Sequence, residues 1–189
     1  MSELFTKDGQ RKYTTRTERD AFIKAANDKR REVQTLCHVL AFTGCRVSEA
    51  LNLTPAHIDA EAEVIIFDTL KQRGKTLTRA VPVPPSLLRD LELVHQLKKQ
   101  QKQGITAPLW DWSRIYAYKQ VKEVMTLAGI EGAMASPKGL RHGFGVLSAE
   151  TTRNPRLVMK WLGHRNLNTT LIYMDAVGAE EKAQAAGMW

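Results

Sequence analysis

The sequence predicts a mainly α-helical domain with a small antiparallel β-sheet, an α+β fold, and three observations lead there. Apolar residues recur at three- and four-residue spacing through most of the chain; Ser, Thr, Asn and Pro stand where helices would begin; and one pair of β-branched runs flanks a basic tract. At 189 residues the chain is long enough to bury one sizeable core.

Each element has its own signal. Thr17-Glu18-Arg19-Asp20 reads as a capping start for a helix running to about Asn27, since a hydroxyl followed three residues later by a carboxylate satisfies the first exposed N–H groups. Arg30 to Ala41 continues as helix, with Val33, Leu36, Cys37 and Leu40 on one face. A short helix carrying Arg46, Glu49 and Leu53 must stop before Pro55, which lacks an N–H and disfavours helix in the residue before it. Glu63 to Phe67 and Leu77 to Val83 read as strands, joined by a basic hairpin loop, Leu70-Lys71-Gln72-Arg73-Gly74-Lys75. Pro84-Pro85 opens a helix through Leu87, Leu88, Leu91 and Val94, which runs out in a polar tract, Lys98 to Gly104, read as solvated. Ser113 caps a helix with Ile115, Tyr118, Val121, Val124 and Met125.

Three further helices close the chain. Ser136 fits an N-cap and Pro137 the first helical position, which puts Lys138 and Arg141 three apart on the first turn, facing the same way. The exposed N–H groups and positive dipole end of such a turn favour an anion. Asn154-Pro155 opens a helix offering Leu157, Val158, Trp161 and Leu162 to the core; Gly163 closes it in a left-handed conformation and so aims His164. Asn168-Thr169-Thr170 starts a short helix that sets Tyr173 on an ordered support.

Composition narrows the partners. With 28 Lys plus Arg against 20 Asp plus Glu the formal charge is +8 and the pI about 9.6, pointing to nucleic acid or an anionic surface. No apolar run approaches a membrane span, the longest being near Val64-Ile65-Ile66-Phe67, and the polar N-terminus does not read as a signal peptide, so an intracellular protein is expected. Cys37 and Cys45 lack metal-ligand spacing and read as reduced core residues. There is no zinc ligand set and no internal repeat. Gly74-Lys75-Thr76 lacks the upstream glycine of a phosphate-binding loop, so neither a metal nor ATP is called for, and no cofactor is expected.

Arg46, Lys138, Arg141, His164 and Tyr173 together suit the breaking of a phosphodiester. Two guanidiniums can grip its non-bridging oxygens with paired, charge-assisted hydrogen bonds, a task for Arg46 and Arg141. A phenol can attack phosphorus and later leave, because its oxygen is a better leaving group than an alkoxide; Tyr173 would carry the phosphate. His164 can donate to a phosphoryl oxygen, and Lys138 can add charge or move the tyrosine's proton. The departing sugar oxygen needs a proton, which an ammonium in a cationic site can supply. Taken singly, each residue has a plainer reading: Tyr173 as a packing tyrosine, His164 as a turn residue, Lys138 and Arg141 as surface charge, Arg46 as an ion pair with Glu49. Their order and spacing on a basic chain favour the joint reading.

The order is Thr43-Gly44-Cys45-Arg46-Val47-Ser48-Glu49-Ala50-Leu51, then K-x-x-R at 138–141, Leu162-Gly163-His164, and a tyrosine nine residues after that histidine. This pattern resembles the tyrosine recombinases, the phage integrase family, over nearly the whole chain. The resemblance implies a catalytic domain over 17–175, preceded by a basic N-terminal lead (1–16) and followed by a C-terminal segment (176–189). It implies site-specific recombination: Tyr173 forms a 3′-phosphotyrosyl link, and the 5′ hydroxyl of a partner strand attacks it. The family presents a lysine from a β-hairpin, which Lys71 matches best by position, with Lys75 as a competitor; the plainer reading makes the hairpin a phosphate contact, with Arg73 and Arg79 as further contacts. The expected partners are double-stranded DNA, other copies of the chain, as a tetramer in synapsis, and accessory DNA-binding proteins, all in a cytoplasmic, nucleoid-associated setting. The Ala-rich stretch Gly178 to Gly187 would be the segment passed to a neighbour.

Two departures accompany the resemblance. Lys138 stands where most members carry histidine, a tolerated substitution. By the resemblance, the usual N-terminal helical domain is expected to be missing, as in short members resembling the fimbrial DNA invertases or in a truncated longer recombinase, so single-site affinity is expected to be modest and salt-dependent. Two other functions share much of the pattern: a type IB topoisomerase, which reseals the original strand, and a non-catalytic DNA-binding regulator. Lys29, Arg30, Arg31 and Arg114 are candidates for groove contacts that the sequence does not separate from ordinary surface charge.

Overall fold

Thr15, rather than Thr17, begins the first helix. The computed structural model describes residues 4–72, 75–175 and 185–188, with the backbone alone over 69–72 and 75–77. In α1 (Arg16–Ala26) the Thr15 hydroxyl accepts from Glu18 N and the Glu18 carboxylate accepts from Thr15 N, a complete capping box. Thr17 and Asp20 have the same spacing, but Arg11 grips both Glu18 oxygens at 2.6 and 2.8 Å and settles the register in favour of Thr15. Leu4 and Thr14 are buried, and Thr14 N donates to Gly139 O, so residues 4–15 pack onto the body of the fold.

α2 (Arg31–Thr43) is buried along most of its length and ends at Gly44, whose φ of 60° is the left-handed closure that glycine adopts without strain. A side chain there would also meet Phe144 at 2.5 Å. α3 (Val47–Leu51) follows at once, with Arg46 as its N-cap and Leu53 buried just beyond it.

A three-stranded antiparallel sheet comes next, in the order β1 (Ile58–Asp59), β2 (Val64–Gln72), β3 (Lys75–Pro82). β1 is too short to carry a period-two signal, and the sequence does not predict it. The β2 and β3 strands run further than the sequence predicts: backbone pairing reaches Gln72↔Lys75, so Lys71 and Lys75 lie on strands rather than in a loop. Backbone pairing depends on extended main chain and not on side-chain pattern, so a polar stretch gives no sign of it, and the pairing resumes at Gln72↔Lys75 after a register shift beyond Thr69. The side chains of Lys71 and Lys75 lie outside the described residues, as does Arg73.

The polar tract after α4 (Pro85–His95) is not simply solvated. Gln96 turns left-handed and α5 (Leu97–Lys102) begins, anchored by buried Leu97. α6 (Arg114–Leu127) has the predicted Ser113 cap, its hydroxyl accepting from Tyr116 N. Its Ile115 and Tyr118 do not join the core: they are 72% and 46% exposed, and Ala117, Val121, Val124 and Met125 form the buried stripe.

α7 (Pro137–Thr152) is the central helix, packed by α1, α2, α6, α8 (Pro155–Leu162) and α9 (Asn168–Met174). Ser136 caps it by accepting from Gly139 N, and Asn154 caps α8 by accepting from Arg156 N and Leu157 N, both as the sequence indicates. Val158 and Leu162 are buried, each contributing about 1.5–3 kcal/mol, whereas Leu157 stays 36% exposed. Asn168 does not cap α9; Leu167 occupies that position without a side-chain bond. Most of Gly178 to Gly187 lies outside the described residues. Among the described residues, no helix is long and apolar enough to cross a membrane.

Candidate active site

Arg46, Lys138, Arg141, His164 and Tyr173, drawn from distant parts of the chain, line one open pocket of about 550 Å³. Two helix ends create its electrostatics. The last carbonyls of a helix have no partner within the helix and form its negative pole. Arg141, 8% exposed, donates to Gly44 O at the end of α2 and to Leu162 O at the end of α8, each at 2.7 Å. This holds the guanidinium rigidly and keeps its remaining N–H groups for the pocket. Burial, followed by the charge of Arg46, lowers Arg141 to about 10, so it stays cationic at neutral pH.

Arg46 is held by Glu49, whose carboxylate accepts from Arg46 N at 2.7 Å and from its guanidinium at 3.2 Å. The ion pair of the plainer reading is therefore present, and Arg46 still faces the pocket with its side chain 53% exposed. Glu49 also takes a two-pronged contact from Arg79, at 3.1 and 2.9 Å. Burial would raise the Glu49 carboxyl, but hydrogen bonding and charge from Arg79 outweigh it and hold the group below its ordinary value. Arg79 corrects an expectation. It is buried, donates to Trp161 O at 2.9 Å and lies 4.8 Å over the Phe67 ring, so it supports Glu49 instead of reaching a phosphate.

His164 follows the left-handed Gly163 (φ 65°), and its Nδ1 lies 2.9 Å from the buried Thr170 hydroxyl. Burial, then the charges of Arg141 and Arg46, lower it to about 4, so the ring is neutral at physiological pH. When the Thr170 hydroxyl donates to Nδ1, the neutral ring carries its hydrogen on Nε2, free to face the pocket. The His164 ring stacks on Tyr173 at 5.9 Å with planes 16° apart. Tyr173 is only 2% exposed, and its hydroxyl is 2.9 Å from Nδ1 of His142. Its ring lies against α7 at Gly145, where an added Cβ would come within 2.7 Å.

The sequence pattern does not assign His142, Thr170 or Gly145 to the site. His142 had a legible signal: it stands four residues after Lys138 and one after Arg141, on the same side of α7. Glu49 reads from the sequence only as an ion-pair partner of Arg46. Lys138, on the first turn of α7, lines the pocket with Arg141 as the spacing indicates. Arg114 also reaches the pocket, while Lys29, Arg30 and Arg31 bond to Glu123, Tyr116 and Gln34. Cys37 and Cys45 are buried, which raises each thiol to about 12 and leaves it unreactive at neutral pH.

A rigidly held arginine pair, a neutral imidazole and an ordered phenol thus stand together on a helical scaffold. The fold is that of tyrosine recombinase catalytic domains: it overlays the XerH recombinase bound to palindromic difH substrate, in a post-cleavage complex, with a TM-score of 0.79 at 23% identity over 94% of this chain and 53% of that one. The catalytic domain of bacteriophage HP1 integrase matches at 0.65 and 16% identity over 92% and 93% of the two chains. The chain belongs to the phage integrase family, whose pattern matches residues 12–179. It is 30% identical to tyrosine recombinase XerD of Bradyrhizobium diazoefficiens, over 75% of this chain and 48% of that protein. It is 28% identical to the type 1 fimbriae regulatory protein FimE of Escherichia coli, over 95% and 91%. The chain thus spans about half the length of the XerD relative.

Proposed function

We propose that the protein is a site-specific DNA recombinase that cuts and rejoins strands through a 3′-phosphotyrosyl intermediate. The observation that carries this reading is the convergence of Arg46, Lys138, Arg141, His164 and Tyr173 on one pocket. Arg46 and Arg141 bind the non-bridging oxygens of the scissile phosphate, already oriented by Glu49 and by two helix ends. His164 donates Nε2–H to the same group. Tyr173 attacks phosphorus, and Lys71 on the hairpin protonates the departing 5′ oxygen, with Lys75 as the alternative donor. Lys138 adds positive charge at the pocket rim. A partner strand's 5′ hydroxyl then reverses the chemistry.

Likeness to recombinases solved on DNA and the +8 charge support double-stranded DNA as the partner. Strand exchange needs two sites, so the protein works as four copies in synapsis, aided by accessory DNA-binding proteins where single-site affinity is modest. The test is a nicked suicide duplex carrying the target site, incubated without metal and quenched in denaturant. The wild-type chain forms a covalent adduct through Tyr173; Tyr173→Phe forms none and still binds DNA. Substituting either Arg46 or Arg141 with alanine slows adduct formation about a hundredfold or more. Adduct formation by Tyr173→Phe would refute the assignment of the nucleophile.

A further inference from the structure

The contact between His142 and Tyr173 has no place in the chemistry above. His142 is 6% exposed, its Nδ1 is 2.9 Å from the phenol oxygen, and the two rings are tilted with centroids 5.8 Å apart. Its Nε2 is buried with no hydrogen-bond partner among the described residues. Buried polar atoms are rarely left unpartnered, and one beside a reactive group calls for an explanation, a catalytic role among them. Lys138 is poorly suited to take the tyrosine's proton, since an ammonium has donors only.

We propose that His142 is a further catalytic residue, the base whose Nδ1 accepts the phenolic proton as Tyr173 attacks phosphorus; this rests on the recombinase reading. The Tyr173 oxygen–phosphorus bond forms while the phenolic O–H bond breaks, and the proton passes to Nδ1. The phosphorus–O5′ bond breaks, and the departing oxygen takes its proton from the hairpin ammonium. In the return step the incoming O5′–phosphorus bond forms and the Tyr173 oxygen–phosphorus bond breaks, while the 5′ hydroxyl gives its proton to the hairpin amine and Nδ1–H returns its proton to the departing phenolate oxygen.

The surroundings suit a switched base. Lys12 from the N-terminal segment, Lys138 and Arg141 from α7, His164 from the turn after α8, and Tyr173 from α9 all face His142. Burial, then Lys138, Arg141 and Lys12, lower the ring to about 4, so without substrate it is neutral and able to accept. A phosphodiester docked between Arg46 and Arg141 brings negative charge among these cations and strengthens the ring's hold on a proton when the phenol must give one up.

The experiment compares wild type with His142→Asn, whose amide can hold the phenol by a hydrogen bond but cannot take its proton. Single-turnover adduct formation on the suicide duplex is followed from about pH 6 to 9. At neutral pH the variant is slower by about a hundredfold or more, and the gap narrows as pH rises, because direct ionisation of the phenol replaces the base. Equal rates, or a deficit that is the same at every pH, would overturn the assignment, the second outcome marking a positioning role alone. If the His142→Asn substitution prevents folding, His142→Gln is expected to give the same pH response. A wild-type chain that forms no adduct fails the recombinase reading itself, a result distinct from any difference between the variants.

Discussion

Arg79 shows how much a single charge depends on its neighbours. It is buried against Phe67, and its charge is balanced by Glu49, which also positions Arg46. Removing one partner of such a pair leaves an uncompensated buried charge. Glu49→Ala is therefore expected to destabilise the fold by about 3–5 kcal/mol, read from denaturant unfolding, and to weaken DNA cleavage through Arg46. A variant as stable as wild type would mean that water reaches Arg79. Arg141 illustrates what was legible at this scale: the K-x-x-R spacing singled it out, but its acceptor at Gly44 O is 97 residues away and no local pattern points to it.

At the scale of elements, α7 explains an apparent fault. It carries Gly139, Gly143 and Gly145, although each glycine in a helix interior costs about 1 kcal/mol relative to alanine. Each meets a neighbour too close for a side chain: Gly139 the Met134 carbonyl, Gly143 Thr14, and Gly145 the Tyr173 ring. On propensity alone Gly145→Ala should stabilise α7. The contact with the ring predicts the opposite for activity, with adduct formation falling by about tenfold or more as Tyr173 is displaced while DNA affinity is kept. Unchanged cleavage would show that the ring can shift without consequence. The helix caps at Ser113, Ser136 and Asn154 were readable because a cap is a local bond between near neighbours. The start of the first helix differs by two residues from the sequence reading because two capping boxes fit, and Arg11, outside the helix, chose between them.

For the whole molecule, the two histidines of the pocket link stability to pH. His142 and His164 are each lowered to about 4 in the fold, whereas in the unfolded chain they take a proton near the ordinary value of about 6.5. Between those values the unfolded state binds more protons, so stability falls as pH drops from about 6.5 toward 4 and is restored at neutral pH. The urea midpoint should decline across that window, and His142→Asn combined with His164→Asn should flatten the decline. A midpoint whose decline is unaffected by the double substitution would place the acid sensitivity elsewhere.

Spacing along the chain and side-chain chemistry specify the helix starts at Ser113, Ser136 and Asn154, the pairing of two strands about a basic hairpin, the basic character and the order of the reactive residues. Tertiary structure alone decided that Tyr173 is buried between His142 and His164, that Arg141 joins the ends of α2 and α8, and that Arg79 braces Glu49. Those contacts join residues far apart in sequence, and their geometry depends on how the helices pack, which no local periodicity encodes.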